Sequence, residues 1–105
     1  LQRLRTRLGG DADALREVAA AMRDDLDQRL LTLAQALERQ DAAAAAAQAH
    51  ALKGALSSLT FMRGAALARG LELAAGKAAW PLFGQTLALL QHEAQAIRQA
   101  LDTLA

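Results

Sequence analysis

The sequence contains no cysteine and no tyrosine, and it has one proline in 105 residues. Without cysteine the chain can form no disulfide bond, use no thiol nucleophile and bind no metal through thiolate sulfur. One tryptophan and two phenylalanines are its only aromatic residues, too few for a platform that stacks nucleic-acid bases. The chemistry of the chain must therefore rest on other polar side chains.

Charge and hydropathy argue against two classes of partner. Twelve lysines and arginines stand against eleven aspartates and glutamates, which gives a net charge of +1, and the basic residues are scattered along the chain. Nucleic-acid binding usually requires a basic patch or stripe. No apolar run approaches the roughly 20 residues that span a bilayer. We expect no nucleic-acid partner, no membrane contact by this domain and a cytoplasmic location.

Length and residue content favour one helical domain. A chain of 105 residues is long enough to bury a single modest core. It begins with Leu1 rather than methionine, so we expect residues 1–105 to be one domain of a longer protein. Leucine and alanine dominate, and no segment alternates polar and apolar residues as a strand would. The sequence therefore predicts an all-α fold.

The N-terminal region predicts a short helix after a break. Leu1–Leu8 are compatible with a leading turn or helix, which Gly9–Gly10 would end. Asp11 can then cap predicted helix A, Ala12–Met22, whose apolar residues follow the spacing of one helical face.

Predicted helices B and C follow. Asp24–Asp25 would place capping side chains and negative charge at a new N-terminus, so helix B is expected from there to about Gln40. Asp41 is the next residue that can cap a helix. The alanine run at positions 42–47 has the highest helix propensity available. Helix C is therefore predicted over Asp41–Leu59.

Two more helices complete the predicted fold. Thr60 can cap helix D, about Phe61–Ala75, and Gly76 is a natural helix stop. Helix E is expected to start at Pro81, because proline suits the first turn of a helix. Its apolar residues form one seam: Phe83, Leu87, Leu90, Ala94, Ile97, Leu101 and Leu104. The pattern predicts an antiparallel up-and-down four-helix bundle with an additional short N-terminal helix, helix A, covering one end.

Helix C has two faces of different character. Residues on the face opposite His50 form a core stripe: Ala45, Ala49, Leu52, Leu56 and Leu59. At 100° per residue, the positions within about 60° of His50 are small except for one lysine: Ala43, Ala46, Ala47, Lys53, Gly54 and Ser57. The helix therefore buries its leucines and presents an imidazole among small side chains.

An imidazole among small residues suits phosphoryl transfer, which needs an accessible nucleophile in line with phosphorus. Gly54 lies one turn from His50, and glycine in a helix interior costs about 0.5–1 kcal/mol relative to alanine. That cost indicates a position kept small, either so that another protein can approach the ring or so that a neighbouring helix can pack closely. Lys53, on the same face, can place its ammonium near phosphoryl oxygens.

The segment His50-Ala51-Leu52-Lys53-Gly54-Ala55 resembles the motif of the histidine phosphotransfer (HPt) family, H-x-L-K-G followed by two small residues. Leu8-Gly9-Gly10-Asp11 resembles the opening of the family, and Leu71–Glu72 resembles a Leu-Glu pair near the end of its fourth helix. Some positions depart from the family pattern: Leu56 replaces a small residue, Thr60–Phe61 replaces Gly-Ala, and Gly64 replaces a larger apolar residue.

This resemblance implies a phosphocarrier rather than an enzyme. His50 would accept a phosphoryl group from a receiver-domain aspartate and pass it to another receiver-domain aspartate, with Lys53 stabilising the group. Magnesium would belong to the receiver, and this domain would hold no cofactor or metal. The similarity is greatest to modules of bacterial hybrid sensor histidine kinases, so the expected partners are receivers of response regulators or of such a parent kinase. The residues expected to shape the docking surface are Ala46, Ala47, Gly54 and Ser57.

Other functions are open alternatives at this point. A non-catalytic adaptor could dock a partner through the alanine-rich face of helix C. A metal-binding bundle would need converging ligands, yet the chain has two histidines, and Leu89 stands where a Glu-x-x-His pair with His92 would need glutamate. We expect His92 to be a surface residue. The carboxylates of Asp24, Asp25 and Asp27 are interpreted as helix-start charges.

Overall fold

The computed structural model describes residues 11–103, which form four helices and no strand. The helices are α1 (Ala12–Arg39), α2 (Ala42–Ser58), α3 (Met62–Gly76) and α4 (Trp80–Asp102). Helices α1 and α3 each pack against both α2 and α4. Because the connections are short, consecutive helices run antiparallel. The predicted all-helical bundle is confirmed for the described residues. Among these residues, no helix is long and apolar enough to cross a membrane.

The predicted break between helices A and B is wrong, because α1 continues through Asp24 and Asp25 as one helix of 28 residues. Aspartate inside a helix costs at most about 0.7 kcal/mol relative to alanine, less than a break that strips backbone hydrogen bonds. Ion pairs of Asp25 and Asp27 also stabilise the helix at this point. Asp25 accepts from Arg29 at 2.9 Å, and Asp27 accepts from Arg98 of α4 at 2.6 Å. These carboxylates are therefore partners inside a helix, not helix-start charges.

The additional short N-terminal helix is accordingly not a separate element among residues 11–103, since its predicted span is the first part of α1. The leading turn expected at Leu1–Leu8 lies outside the described residues, as does Leu104 of the helix E seam. Asp11 caps α1 as predicted, because its Oδ1 accepts from the backbone N–H groups of Asp13 and Ala14 at 2.9 and 3.0 Å.

The three connections share one backbone feature. Each contains a non-glycine residue in the left-handed region: Gln40, Thr60 and Ala78, with φ of 50°, 64° and 52°. The prediction that Thr60 caps α3 is wrong, because Thr60 lies in the turn after α2. Its hydroxyl donates to the Leu59 carbonyl at 2.6 Å. Phe61 stands at the N-cap of α3 without a side-chain bond. Helix α3 ends at Gly76, in agreement with the predicted helix stop, and the left-handed residue of the connection that follows is Ala78.

The core consists almost entirely of leucine and alanine, with one phenylalanine, Phe83, and one isoleucine, Ile97. The stripe predicted for helix C is buried on α2 except for Leu59, which is half-buried. Every described member of the helix E seam is buried on α4. None of the described buried residues is polar or charged. The faces predicted for these two helices are therefore confirmed, and they fix which side of α2 meets solvent.

Two departures from the family pattern meet in this core. Gly64 of α3 is buried, and a Cβ added there would lie 3.0 Å from the Cδ1 atoms of both Leu56 and Ile97. Real Cβ atoms essentially never come closer than this distance. The larger Leu56 therefore occupies space that a side chain at position 64 would need. The two residues form one complementary pair, in which a leucine on α2 is accommodated by a glycine on α3.

This complementarity predicts a coupled pair of substitutions. Leu56→Ala should lower the free energy of unfolding by about 2–5 kcal/mol through cavity formation, and Gly64→Leu by about 1–3 kcal/mol through overpacking. The double variant should lose less than the sum, with a coupling of about 0.5–3 kcal/mol. Chemical denaturation of the four proteins measures the coupling.

A control cycle combines Leu56→Ala with Gly76→Ala, because a Cβ at Gly76 meets no atom within 4 Å. Its effects should be additive. Additive effects in the Leu56–Gly64 cycle as well would show that the two residues do not share space.

Candidate functional site

His50 lies in the middle of α2 and points away from the core. Asp41 starts this helix by accepting from the backbone N–H of Ala44 at 3.1 Å, as predicted. Ala49 and Leu52 are buried on the inner face. The His50 side chain is 67% exposed on the outer face. The imidazole is therefore available to a molecule outside the bundle.

The residues expected around His50 do share its face. Ala47, Gly54 and Ser57 are exposed, and Ala46 and Lys53 are half-buried. A Cβ built at Gly54 meets no atom within 4 Å. No described neighbour thus requires a glycine at position 54 for packing, which removes close helix packing as the reason for it. The space above Gly54 is open next to the imidazole.

A third polar residue, Glu72 of α3, completes the cluster. Its Oε2 lies 2.8 Å from Nδ1 of His50, and its Oε1 lies 3.1 Å from Nζ of Lys53. The carboxylate therefore bridges two residues that are one turn apart on α2. The Glu72 side chain is 29% exposed and lies at the edge of the α2–α3 contact. We refer to His50, Lys53 and Glu72 as the acceptor cluster.

The position of Glu72 follows from the packing of α3. Its neighbours Leu71, Ala68 and Ala75 are buried, so helical spacing places Glu72 at the border between the buried face and solvent. The antiparallel contact with α2 then brings this border beside His50. Sequence reasoning noted the Leu71–Glu72 pair but gave Glu72 no role. The available signal was the resemblance of Leu71–Glu72 to a Leu-Glu pair of the family.

The acceptor cluster favours the ionised form of Glu72. The hydrogen bond from Lys53 lowers the pKa of the Glu72 carboxyl, and the bond from His50 lowers it further, whereas desolvation acts in the opposite direction. The net pKa lies below the ordinary value. At neutral pH the carboxylate can only accept hydrogen bonds, so Nδ1 of His50 must donate the proton that they share. In a neutral imidazole, Nε2 then carries the free lone pair.

The remaining polar residues between positions 11 and 103 do not build a second centre of this kind. His92 is exposed on α4, as expected, and lies in a groove with Arg63 and Glu93. Within residues 11–103 no group of three or more His, Cys, Asp or Glu side chains is placed to hold a metal ion.

The family model of the Hpt domain matches residues 17–100, a range that contains His50, Lys53, Gly54 and Glu72. The chain belongs to the Hpt domain family. The Hpt domain has a histidine phosphotransfer role in two-component signalling, it is a phosphocarrier rather than a catalytic enzyme, and its partners are response-regulator receiver domains. Comparison with curated proteins and with solved structures gives no match for this Hpt domain.

The acceptor cluster predicts a specific titration of Glu72. The carboxyl carbon, followed by ¹³C NMR, should titrate below the ordinary pKa of glutamate. Lys53→Met should raise this pKa more than His50→Gln does, because the Lys53 bond is the largest cause of the shift. Lys77→Met, which removes an exposed lysine just after α3, serves as the control and should leave it unchanged.

The same shift contributes to the pH dependence of stability. The folded-state pKa of Glu72 is lowered, so the stabilisation by the cluster is present above the ordinary pKa and is lost as pH falls through the folded-state value.

An identical Glu72 titration in the parent and in Lys53→Met would show that the bridge does not form.

Proposed function

We propose that Nε2 of His50 accepts a phosphoryl group from the aspartyl phosphate of one receiver domain and later passes it to an aspartate of another. The observation that carries this proposal is the contact of Glu72 with Nδ1 at 2.8 Å, since it leaves the other ring nitrogen as the nucleophile. The exposure of the ring supports the same assignment. Membership of the Hpt domain family supplies the reaction class.

The proposed step is a direct displacement at phosphorus. The lone pair of Nε2 forms the P–N bond while the P–O bond to the receiver aspartate breaks, and the aspartate leaves as a carboxylate with the bonding electron pair. Positive charge develops on the imidazole during this attack. Because Nδ1–H donates to ionised Glu72, that charge is stabilised without transfer of the shared proton. Reversal of the step on a second receiver returns His50 to its neutral form.

Lys53 has two roles in this proposal. One of its three ammonium donors contacts Glu72 Oε1 at 3.1 Å and holds the carboxylate in place. The other donors are available to phosphoryl oxygens at His50, one turn away. We place magnesium on the receiver, where it would balance phosphoryl charge, and we assign no cofactor to this chain. The receivers belong either to response regulators or to a parent hybrid kinase.

The docking surface in this proposal is the small-residue face of α2. Ala47, Gly54 and Ser57 are exposed beside His50, and Ala46 borders them. Small side chains allow the loops of a receiver to reach Nε2, which a ring of long side chains would prevent. The adaptor alternative uses the same face but needs no phosphoryl transfer, so phosphorylation separates the two functions.

Replacing the acceptor histidine should abolish labelling. His50→Gln incubated with a phosphorylated receiver should carry no label and keep its helical circular dichroism, because the side chain is exposed. His92→Gln is the matched control and should be labelled like the parent, with a label that is acid-labile and alkali-stable. Continued labelling of His50→Gln would refute the assignment, and no labelling of the parent by any receiver would favour the adaptor.

Substitutions at Gly54 separate access from packing. Gly54→Ala should stabilise the fold by up to about 1 kcal/mol, because alanine has the higher helix propensity. Gly54→Gln should also fold, since the space above Gly54 is open. Both should slow transfer from a receiver, Gln more than Ala, as measured by melting temperature and transfer rate on the same proteins. A folded Gln variant that transfers at the parent rate would contradict the access requirement.

A further inference from the structure

Helices α2 and α3, which carry the acceptor cluster, have an unbalanced charge. Their cations are Lys53, Arg63 and Arg69, and Glu72 is the only carboxylate on either helix. Lys53 contacts that carboxylate at 3.1 Å, and Arg63 lies 3.9 Å from a carboxylate of α4, that of Glu93. The positive charge left over on this helix pair belongs to Arg69.

Arg69 is exposed and has no hydrogen-bond or ion-pair partner among residues 11–103, although a carboxylate lies close to it. Glu72 follows three residues later on α3, a spacing at which Cβ atoms lie about 5–6 Å apart and oppositely charged side chains can pair. The two oxygens of Glu72 contact His50 and Lys53 instead. The guanidinium of Arg69 is therefore available to another anion.

Arg69 projects on the side of the bundle where His50 is exposed. Glu72 reaches His50 from the border between the buried face of α3 and solvent. Helical geometry rotates Arg69 by about 60° from Glu72, in the direction away from buried Ala68. Because α2 and α3 run antiparallel, a residue that precedes Glu72 on α3 lies level with residues that follow His50 on α2. Arg69 therefore flanks the open space above Gly54, next to the imidazole.

A phosphoryl group on His50 brings a negative charge that the acceptor cluster does not balance. Such a group carries about −1.5 to −2 charges at pH 7. Within the cluster, ionised Glu72 already matches the charge of Lys53. On the α1 side of α2, Arg29 is likewise paired, with Asp25 at 2.9 Å. Once a receiver and its magnesium have left, a further cation is needed to balance the phosphoryl charge.

We propose that Arg69 is this cation and binds the phosphoryl group of phosphorylated His50. Its planar guanidinium can donate two parallel hydrogen bonds to phosphoryl oxygens, whereas the ammonium of Lys53 acts as a point charge. No bond to phosphorus forms or breaks in this contact, so Arg69 stabilises the phosphorylated state and does not transfer the group. The inference rests on the proposed phosphorylation of His50.

Titration of the phosphoryl group by ³¹P NMR tests the contact without a receiver. The full chain is phosphorylated with phosphoramidate, a small donor from which ammonia leaves as Nε2 of His50 bonds to phosphorus. A nearby cation favours the doubly charged phosphoryl group. Arg69→Gln should therefore raise the second pKa of the phosphoryl group relative to the parent. Arg69→Lys should cancel part of this rise, because it keeps the charge but loses the paired hydrogen bonds.

The matched control is Arg63→Gln, which removes the same charge from an exposed side chain of the same helix, on the side that faces α4. It should leave the phosphoryl pKa unchanged. A second measurement follows the equilibrium of the label between a receiver and this domain. Arg69→Gln should lower the ratio of phosphorylated domain to phosphorylated receiver about two- to fivefold, the effect of losing one exposed charge pair. Arg63→Gln should leave this ratio unchanged.

A phosphoryl titration of Arg69→Gln identical to that of the parent would overturn the inference. This holds even if transfer from a receiver became slower, because Arg69 would then contact the receiver protein rather than the phosphoryl group. A parent chain that carries no phosphorus on His50 would overturn the proposed function as well. The two failures are therefore distinguishable, since only the first leaves a phosphoryl resonance that is assigned to His50.

Discussion

The carboxylate of Glu72 joins α3 to the outer face of α2, because one oxygen contacts Nδ1 of His50 and the other contacts Nζ of Lys53. The proposed nucleophile depends on this bridge. If Glu72 were protonated or displaced, either ring nitrogen of a neutral His50 could carry the proton. The free lone pair would then no longer be confined to Nε2. Lys53 lowers the pKa of the Glu72 carboxyl and holds the carboxylate in place, so it supports the tautomer of His50 from one turn away.

The bridge in turn needs a fixed register between α2 and α3. At the other end of the same contact, Cδ1 of Leu56 lies 3.0 Å from the position that a Cβ on residue 64 would take. The larger residue at position 56 and the smaller one at position 64, both departures from the family pattern, thus compensate each other in volume. The two helices therefore stay in close contact. Thr60 links the helices with left-handed backbone, φ 64°, at a place where the family commonly has glycine. A threonine here holds the left-handed conformation that glycine adopts without steric cost.

Much of this architecture could be predicted from periodicity. The faces of α2 and α4 and the exposed His50 follow from spacing within one helix, and the cap at Asp41 follows from its short acceptor side chain. The failures involve contacts between helices or competition between local signals. Asp24–Asp25 has the character of a helix start, but Asp27 pairs with Arg98, 71 positions away, and the helix continues. Glu72 had no predicted role because its position beside His50 depends on register between helices, which a single sequence does not provide.

The identity of the phosphorylated ring nitrogen tests the central claim most directly. The Hpt domain, labelled with ¹⁵N in histidine and phosphorylated by a receiver, can be examined by ¹⁵N and ³¹P NMR. The account predicts phosphorus on Nε2 of His50 and a retained proton on Nδ1, hydrogen-bonded to Glu72. Phosphorus on Nδ1 would contradict it, because that nitrogen would then have lost its contact with the carboxylate.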